Sequence, residues 1–277
     1  MKNIFFVIIL LLFVNQTFAQ NDTIIDSVRN CGLNPPPLEG LGEVQSSEKQ
    51  EILRQVQNDE KKTNLAYYIV PSALISYGII TRFSSGLQNF DKNIDVRVKQ
   101  NISRRYRFDD YIQFAPYVAI YGLDLCGVKA KHNLLDRTLV LGTSAIFAAT
   151  LTQGSKYLTK IERPDGSNFH SFPSGHTSVA FLGAHILFRE YKHKSVWIGV
   201  AGYGVALTTA SMRVINRKHW LSDVVTGAGV GILCAELGYL MLPVWHKLFK
   251  INQKDKGLAI SPIITRDNFG IGGIMVF

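Results

Sequence analysis

Apolar and polar positions fall along this chain in long blocks, without the two-residue rhythm of a β protein. After residue 64, six uncharged or nearly uncharged runs stand out: 66–81, 111–122, 138–155, 176–188, 195–212 and 224–245, the last broken only by Glu236. Each run predicts a helix, and three or four approach the roughly 20 residues that cross a bilayer. Small residues recur within them, at Gly199, Ala201, Gly202 and Gly204 and again at Gly227, Gly229 and Gly231. Such residues let helix backbones approach closely, as in membrane bundles. The pattern predicts an all-α fold, a six-helix antiparallel bundle over residues 65–250 embedded in a membrane, with a tightly packed soluble bundle as the alternative. Residues 82–109 read as a long basic connection carrying Arg97, Lys99, Arg104, Arg105 and Arg107. Within the tail, 251–277, weak alternation about a turn at Arg266-Asp267-Asn268 predicts a small β-hairpin.

The start of the chain has a different character. Lys2, an apolar run over 4–14 and the small-residue site Thr17-Phe18-Ala19 predict a signal peptide over 1–19, cleaved before Gln20. An uncleaved anchor is the alternative, although the run is short for a span. Residues 20–64 are polar, with Pro35-Pro36-Pro37 and a stretch rich in Glu, Gln, Lys and Asn over 46–62, and read as a linker.

Composition narrows the partners. Charged residues make up only 18%, below the quarter or so usual in soluble domains. The net charge of +9 favours anionic partners such as lipid headgroups or phosphorylated substrates. No familiar nucleic-acid module is visible, so nucleic acid is not an expected partner. Cys31, Cys126 and Cys234 are scattered and lack metal-site spacing. A Cys31–Cys126 disulfide is conceivable in an oxidising compartment, and three thiols is the preferred reading. No metal cluster is legible and no cofactor is expected.

Three stretches carry chemistry. Lys156 is followed after six residues by Arg163-Pro164, Phe172-Pro173-Ser174-Gly175-His176 comes next, and Arg213 is followed after five residues by His219 and after three more by Asp223. Lys156 and Arg163 offer a point charge and a planar fork of donors suited to phosphate oxygens, or merely complement a helix dipole. Ser174 is a candidate N-cap. Gly175 allows close approach to the backbone, and free N–H groups at a helix start attract anions. His176 projects from that first turn as a candidate proton donor. His219 and Asp223, four apart, would share a helix face, so that the carboxylate holds one ring nitrogen as N–H and frees the other. Each piece alone has a bland reading as a cap or a surface pair. Together they supply what phosphoryl transfer needs, and they fall at matching helix ends.

This three-part pattern resembles the signature of the type 2 phosphatidic acid phosphatase superfamily, over roughly residues 65–245. The family includes lipid phosphatases, class A acid phosphatases and vanadium haloperoxidases. The resemblance implies that Lys156, Arg163 and Arg213 clamp phosphate oxygens, aided by the Ser174 hydroxyl and amides near Ser174 and Gly175. It implies that His219 attacks phosphorus to form a phosphohistidine, that Asp223 orients His219, and that His176 protonates the leaving group, with no metal required. Two departures stand out. Met212 occupies the place of a usual Ser, with Ser211 one step earlier. Asn216-Arg217-Lys218 adds polar and charged groups beside His219, either as solvated loop charge or as contacts to a polyanionic headgroup. His185, on an apolar helix, reads as a packed core residue, and Tyr67, Tyr68 and Tyr77 as interfacial or core packing.

The expected function is therefore a metal-independent phosphatase of lipid-linked phosphate monoesters or diphosphates. The alternatives are a soluble periplasmic acid phosphatase, a haloperoxidase (disfavoured by motif spacing and chain length) and a non-catalytic membrane scaffold. The expected location is the inner membrane with a periplasm-facing site, or the periplasm itself. Six spans after a cleaved leader would place the motifs on the cytoplasmic side. A non-spanning 111–122 segment would restore the periplasmic face.

Overall fold

The computed structural model describes residues 65–102 and 106–249 and the backbone of 258–264 and 269–275. The predicted leader, the linker and Cys31 lie outside these residues. By its contacts the chain divides into Met1–Ala66 and Tyr67–Phe277, and, apart from the first two residues of the first helix below, the second unit holds every residue discussed below.

All six apolar runs are helical, and the described part up to Phe249 is all-helical. The helices are α1 (Leu65–Thr81), α2 (Ser85–Asn101), α3 (Asp109–Ile112), α4 (Ala115–Leu125), α5 (Leu134–Thr159), α6 (Gly175–Tyr191), α7 (Val196–Ile215) and α8 (Leu221–Phe249). The expected six-helix count is therefore corrected to eight among the described residues. The run at 111–122 divides between the single turn α3 and the longer α4. Residues 82–109, expected as a connection, contain α2, whose start is capped by the Ser84 hydroxyl accepting from Leu87 N–H. Asp91 is the one fully buried residue of α2, so no apolar stripe announces it in the sequence.

Helix α8 packs against α5 and α6, and α6 packs against α7. Helices α5, α7 and α8 have 26, 20 and 29 residues and are apolar enough to cross a membrane. The most apolar window of α8 is 78% buried, against 33% in α5 and 39% in α7. Helix α8 is thus the axis of the bundle, while α5 and α7 turn apolar side chains such as Ile146, Val200 and Leu207 outwards.

Close packing of α6 on α8 positions the site. A Cβ at Gly227 would lie 2.5 Å from the Ser174 carbonyl oxygen, and one at Gly231 would overlap the Ser178 carbonyl. Ala180, Ala184, Ala206, Ala210 and Ala228 fill the adjoining core with Phe181, Val224 and Ile232. These small residues bring the first turns of α6 and α8 into contact. The lone acid within α8's apolar run is neutralised internally. Glu236 accepts from Arg189 at 3.0 and 3.1 Å and lies 2.5 Å from His185 Nε2, whose Nδ1 is 2.6 Å from the Tyr203 hydroxyl. His185 is buried in this network. Tyr67, expected as packing, also accepts a bond from Lys192 at 2.8 Å and lies beneath the Arg189 guanidinium at 4.7 Å. Among the described residues, Cys126 and Cys234 form no disulfide.

Two strands, β1 (Leu258–Ile264) and β2 (Phe269–Met275), pair antiparallel with Leu258 opposite Met275 and Ile264 opposite Phe269. Their link, 265–268, lies outside the described residues.

Candidate active site

His219 lies in the turn between α7 and α8, two residues before α8 begins. The helical i, i+4 geometry expected for His219 and Asp223 therefore does not apply. His219 Nδ1 is 3.8 Å from Asp223 Oδ2, too far for a hydrogen bond. Nδ1 instead lies 2.7 Å from the Ser171 carbonyl oxygen. A carbonyl only accepts, so Nδ1 carries the hydrogen and Nε2 keeps its lone pair. Asp223 acts one step back, accepting from the Ser171 hydroxyl at 2.5 Å. The same carboxylate oxygen accepts from Trp220 N–H at 3.0 Å, the reach-back of a capping box that closes the start of α8. Burial holds the His219 pKa below the ordinary histidine range, opposed by the Asp223 carboxylate.

Behind Asp223 stands a network that the motifs did not announce. Arg82 donates to Asp223 Oδ1 at 3.2 Å and to the Ser222 hydroxyl, and lies 5.1 Å over the Phe172 ring. Ser222 in turn donates to Asp91 of α2 at 2.5 Å. Burial raises the Asp91 pKa, a rise that the bond from Ser222 opposes.

The first turn of α6 presents free amides. Ser174 occupies the N-cap position, but its hydroxyl pairs with Thr177 Oγ1 at 2.9 Å instead of capping the backbone. Its own N–H donates to the Asp223 carbonyl at 3.0 Å, which ties α6 to α8. Among the described residues, the N–H groups of Gly175 and His176 have no hydrogen-bond acceptor. The Lys156 ammonium lies 3.5 Å from where a Cβ on Gly175 would stand, so a side chain there would crowd the space between the amine and the amides.

Three cations converge on this spot. Arg213, 6% exposed, is held by Asp109 Oδ2 at 2.8 Å and Asp110 Oδ1 at 3.2 Å. Asp110 Oδ1 also lies 3.0 Å from His176 Nε2, and Asp109 accepts from Asn216 at 3.1 Å. Lys156 and Arg163, by contrast, make no side-chain hydrogen bond or ion pair among the described residues, and the Arg163 Nε is buried without an acceptor. Burial and the Arg213 charge push the Arg163 pKa down. Burial, then Arg213, lowers the His176 pKa to about 4 against the opposing pull of Asp110. His219 in turn feels both Arg213 and Arg163, so all the motif residues share one electrostatic pocket. Two unpaired, partly buried cations beside free amides form an anion receptor.

The charged insertion beside His219 is neither solvated loop charge nor a free contact for a headgroup. Arg217, at φ 55°, grips Asp95 of α2 at 2.6 and 2.7 Å and donates to the Pro164 carbonyl at 2.8 Å. Lys218 reaches Asp165 at 2.6 Å. Burial pushes the Asp165 carboxyl up, but the bonds from Lys218 and Ser167 outweigh it and hold the pKa at about 2. These ties strap the Arg163 loop to the His219 turn. Met212 is buried in the core and Ser211 is exposed.

The sequence reading missed Arg82, Asp91, Asp109, Asp110 and Ser171. The only local sign was the Asp109-Asp110 pair opening a short helix, where acids favour the N-terminal dipole.

Comparison with known proteins adds the following. Residues 137–247 match the model of the PAP2 superfamily. Over 186 residues the chain is 34% identical to a lipid A 1-phosphatase of Porphyromonas gingivalis, covering 64% of this chain and 41% of that protein. Over 77 residues it is 38% identical to a lipid A 1-phosphatase of Helicobacter pylori, covering 27% of this chain and 38% of that protein. The matches thus span less than half the length of these relatives. Among solved structures, Aquifex aeolicus LpxE aligns with a TM-score of 0.41 at 20% identity, over 55% of this chain and 94% of that one. A transmembrane PAP2-type phosphatidylglycerolphosphate phosphatase from Bacillus subtilis aligns with a TM-score of 0.45 at 20% identity, over 67% and 98%.

Proposed function

On the premise that this chain carries a PAP2 superfamily segment over residues 137–247, we propose that it is a metal-independent phosphatase of lipid-linked phosphates working through a phosphohistidine. The observation that carries this reading is the 2.7 Å contact of His219 Nδ1 with the Ser171 carbonyl oxygen, from which the tautomer of the ring follows. Its Nδ1–H is committed to the Ser171 carbonyl, so the lone pair on Nε2 is available as nucleophile, and burial keeps the ring neutral.

The steps follow from the residues. The phosphate oxygens bind to Lys156, Arg163, Arg213 and the amides of Gly175 and His176, with Ser174 bracing the turn that presents them. His219 Nε2 attacks phosphorus, the bond from phosphorus to the leaving oxygen breaks, and His176, neutral in the empty site and taking up a proton once the phosphate dianion is bound beside it, gives that oxygen its proton. Water then attacks the phosphohistidine, His176 takes the water's proton, and the P–N bond breaks to release inorganic phosphate. Asp223 supports the nucleophile through Ser171 and by its charge, stabilising the cationic ring formed on phosphorylation. The cations stand where negative charge develops, as electrostatic catalysis requires.

Exposed apolar side chains next in sequence to site residues favour a lipid substrate. Tyr111 and Phe114 follow Asp110 and are 80% and 51% exposed, and Tyr157 and Leu158 follow Lys156 at 68% and 59%. A rim of this kind suits the edge of a bilayer. With 11 residues, α4 is too short to span, which favours a site on the periplasmic face of the inner membrane. Because the named relatives are lipid A 1-phosphatases, lipid A is the first lipid to try.

The test is phosphate release, in excess EDTA, from lipid A, phosphatidylglycerol phosphate, a polyprenyl diphosphate and soluble phosphate esters. Preference for a lipid by an order of magnitude or more in kcat/KM supports the reading. Equal or better turnover of soluble esters replaces it with a soluble-ester phosphatase, and EDTA-sensitive release refutes the metal-independent mechanism.

A further inference from the structure

The general acid needs its own partner, and the motifs supply none. His176 stands in the first turn of α6, where three charged or titratable groups face it: Asp110 from α3, Arg213 from α7 and His219 from the turn before α8. Arg213 repels a proton on His176. Among the described residues, Asp110 is the one anion in reach, with Oδ1 at 3.0 Å from His176 Nε2 and 3.2 Å from Arg213 Nη1. Among the described residues, His176 Nδ1 has no hydrogen-bond partner.

We infer that Asp110 is a positioning residue for the proposed phosphatase reaction, holding His176 with Nε2 as N–H so that Nδ1 is the atom that delivers and recovers the proton. This deepens the functional reading above and rests on it. An ionised carboxylate only accepts, so the 3.0 Å contact fixes the hydrogen on Nε2. Nδ1 then holds a proton when His176 acts as acid and a lone pair when it acts as base toward water. The balance is complete. The leaving oxygen takes the Nδ1 proton as its bond to phosphorus breaks, and the water that attacks the phosphohistidine returns one to Nδ1. Asp110 keeps its charge throughout and stabilises the imidazolium, the role that the carboxylate of a hydrolase triad performs for its histidine.

The geometry separates Asp110 from its neighbour. Asp109 is 1% exposed and touches Arg213 and Asn216, whereas Asp110 alone bridges Arg213 and the acid. Asp109 therefore anchors the phosphate clamp, which keeps this closer bond when Asp110 is changed, and Asp110 holds the acid. No spacing rule links them to the motifs, because Asp110 lies 66 residues from His176 and 103 from Arg213 in the chain.

Leaving-group dependence tests this. A p-nitrophenyl ester departs as a stable phenolate and needs little protonation, whereas an alkyl phosphate departs as an alkoxide and needs the acid. Asp110→Asn should lower kcat on an alkyl or lipid phosphate by about 10- to 100-fold, within the range of general-acid contributions, and on p-nitrophenyl phosphate by less than about threefold. Asp109→Asn should instead raise KM on both substrates by similar factors. In a His176→Ala background, Asp110→Asn should cause no further loss on the alkyl substrate. Equal losses on both esters in Asp110→Asn, no loss on the alkyl ester, or an additive loss in the double variant would each overturn the assignment. A wild-type protein that releases phosphate from neither ester overturns the phosphatase reading itself, and this inference with it.

Discussion

Arg163 offers a separation of stability from function that can be worked out from its surroundings. Its side chain makes no hydrogen bond or ion pair among the described residues, its Nε is buried unsatisfied, and Arg213 repels it. The turn it occupies is held by its backbone, with Arg163 N–H donating to Asn168 at 3.0 Å and its carbonyl accepting from Gly166 at 2.9 Å. Arg163→Met keeps the aliphatic stem and that turn while removing a repelled cation with an orphaned donor. The empty protein should therefore lose no stability beyond about 0.5 kcal/mol, the usual scale for changes that break no contact. Anion binding should fall by at least one charge-assisted hydrogen bond, about 1.5–3 kcal/mol, which is about 10- to 150-fold in affinity. The assay is thermal unfolding in detergent with and without inorganic phosphate. At about 100 times Kd, phosphate stabilises the wild-type protein by about 2.7 kcal/mol, and a variant weakened about 30-fold keeps only about 0.9 kcal/mol at the same concentration. A variant destabilised without phosphate, or one that keeps the full phosphate response, would refute the idea that Arg163 is held in place for an anion.

Two further outcomes follow from the packing and the charges. Gly231→Val should destabilise the bundle by about 1–3 kcal/mol or more in chemical denaturation, because its side chain meets the Ser178 carbonyl and Leu182 backbone, which cannot yield as a flexible side chain could; an unchanged midpoint would contradict the packing of α6 on α8. For pH, the folded His219 and His176 pKa values both lie below the unfolded value near 6.5, so the unfolded chain binds more protons as pH falls. The stabilisation from keeping these rings neutral should be complete above about pH 6.5 and lost as pH falls toward about 4, an acid slope that His176→Gln should reduce.

Much of the site was legible because its parts are local. The stretches 156–164, 172–176 and 213–223 each lie at the end of an apolar run, and the folding of those runs brings Lys156, Gly175, His176, Arg213 and His219 into one pocket. The partnership of His219 with Asp223 was legible only in part. Periodicity assumed a helix through both residues, whereas α8 starts at Leu221 and the ring turns to the Ser171 carbonyl. Helix α2 was illegible for a different reason: it buries one acid and no apolar face, and its acids Asp91 and Asp95 find Ser222 and Arg217 more than 120 residues away. The same pairings explain why Arg217 and Lys218 resembled free charge: a sequence shows a cation, but its distant acid becomes visible only in the folded chain.

The most direct measurement is trapping of the covalent enzyme. Lipid phosphate labelled at the phosphorus would be mixed with wild-type protein and with His219→Ala, quenched in alkali, and the protein examined for label. Acid-labile, base-stable label on the wild-type protein, absent from His219→Ala, is the result expected of a phosphoramidate on this imidazole. Label that persists in His219→Ala, or turnover by that variant at the wild-type rate, would contradict the assignment of His219 as nucleophile.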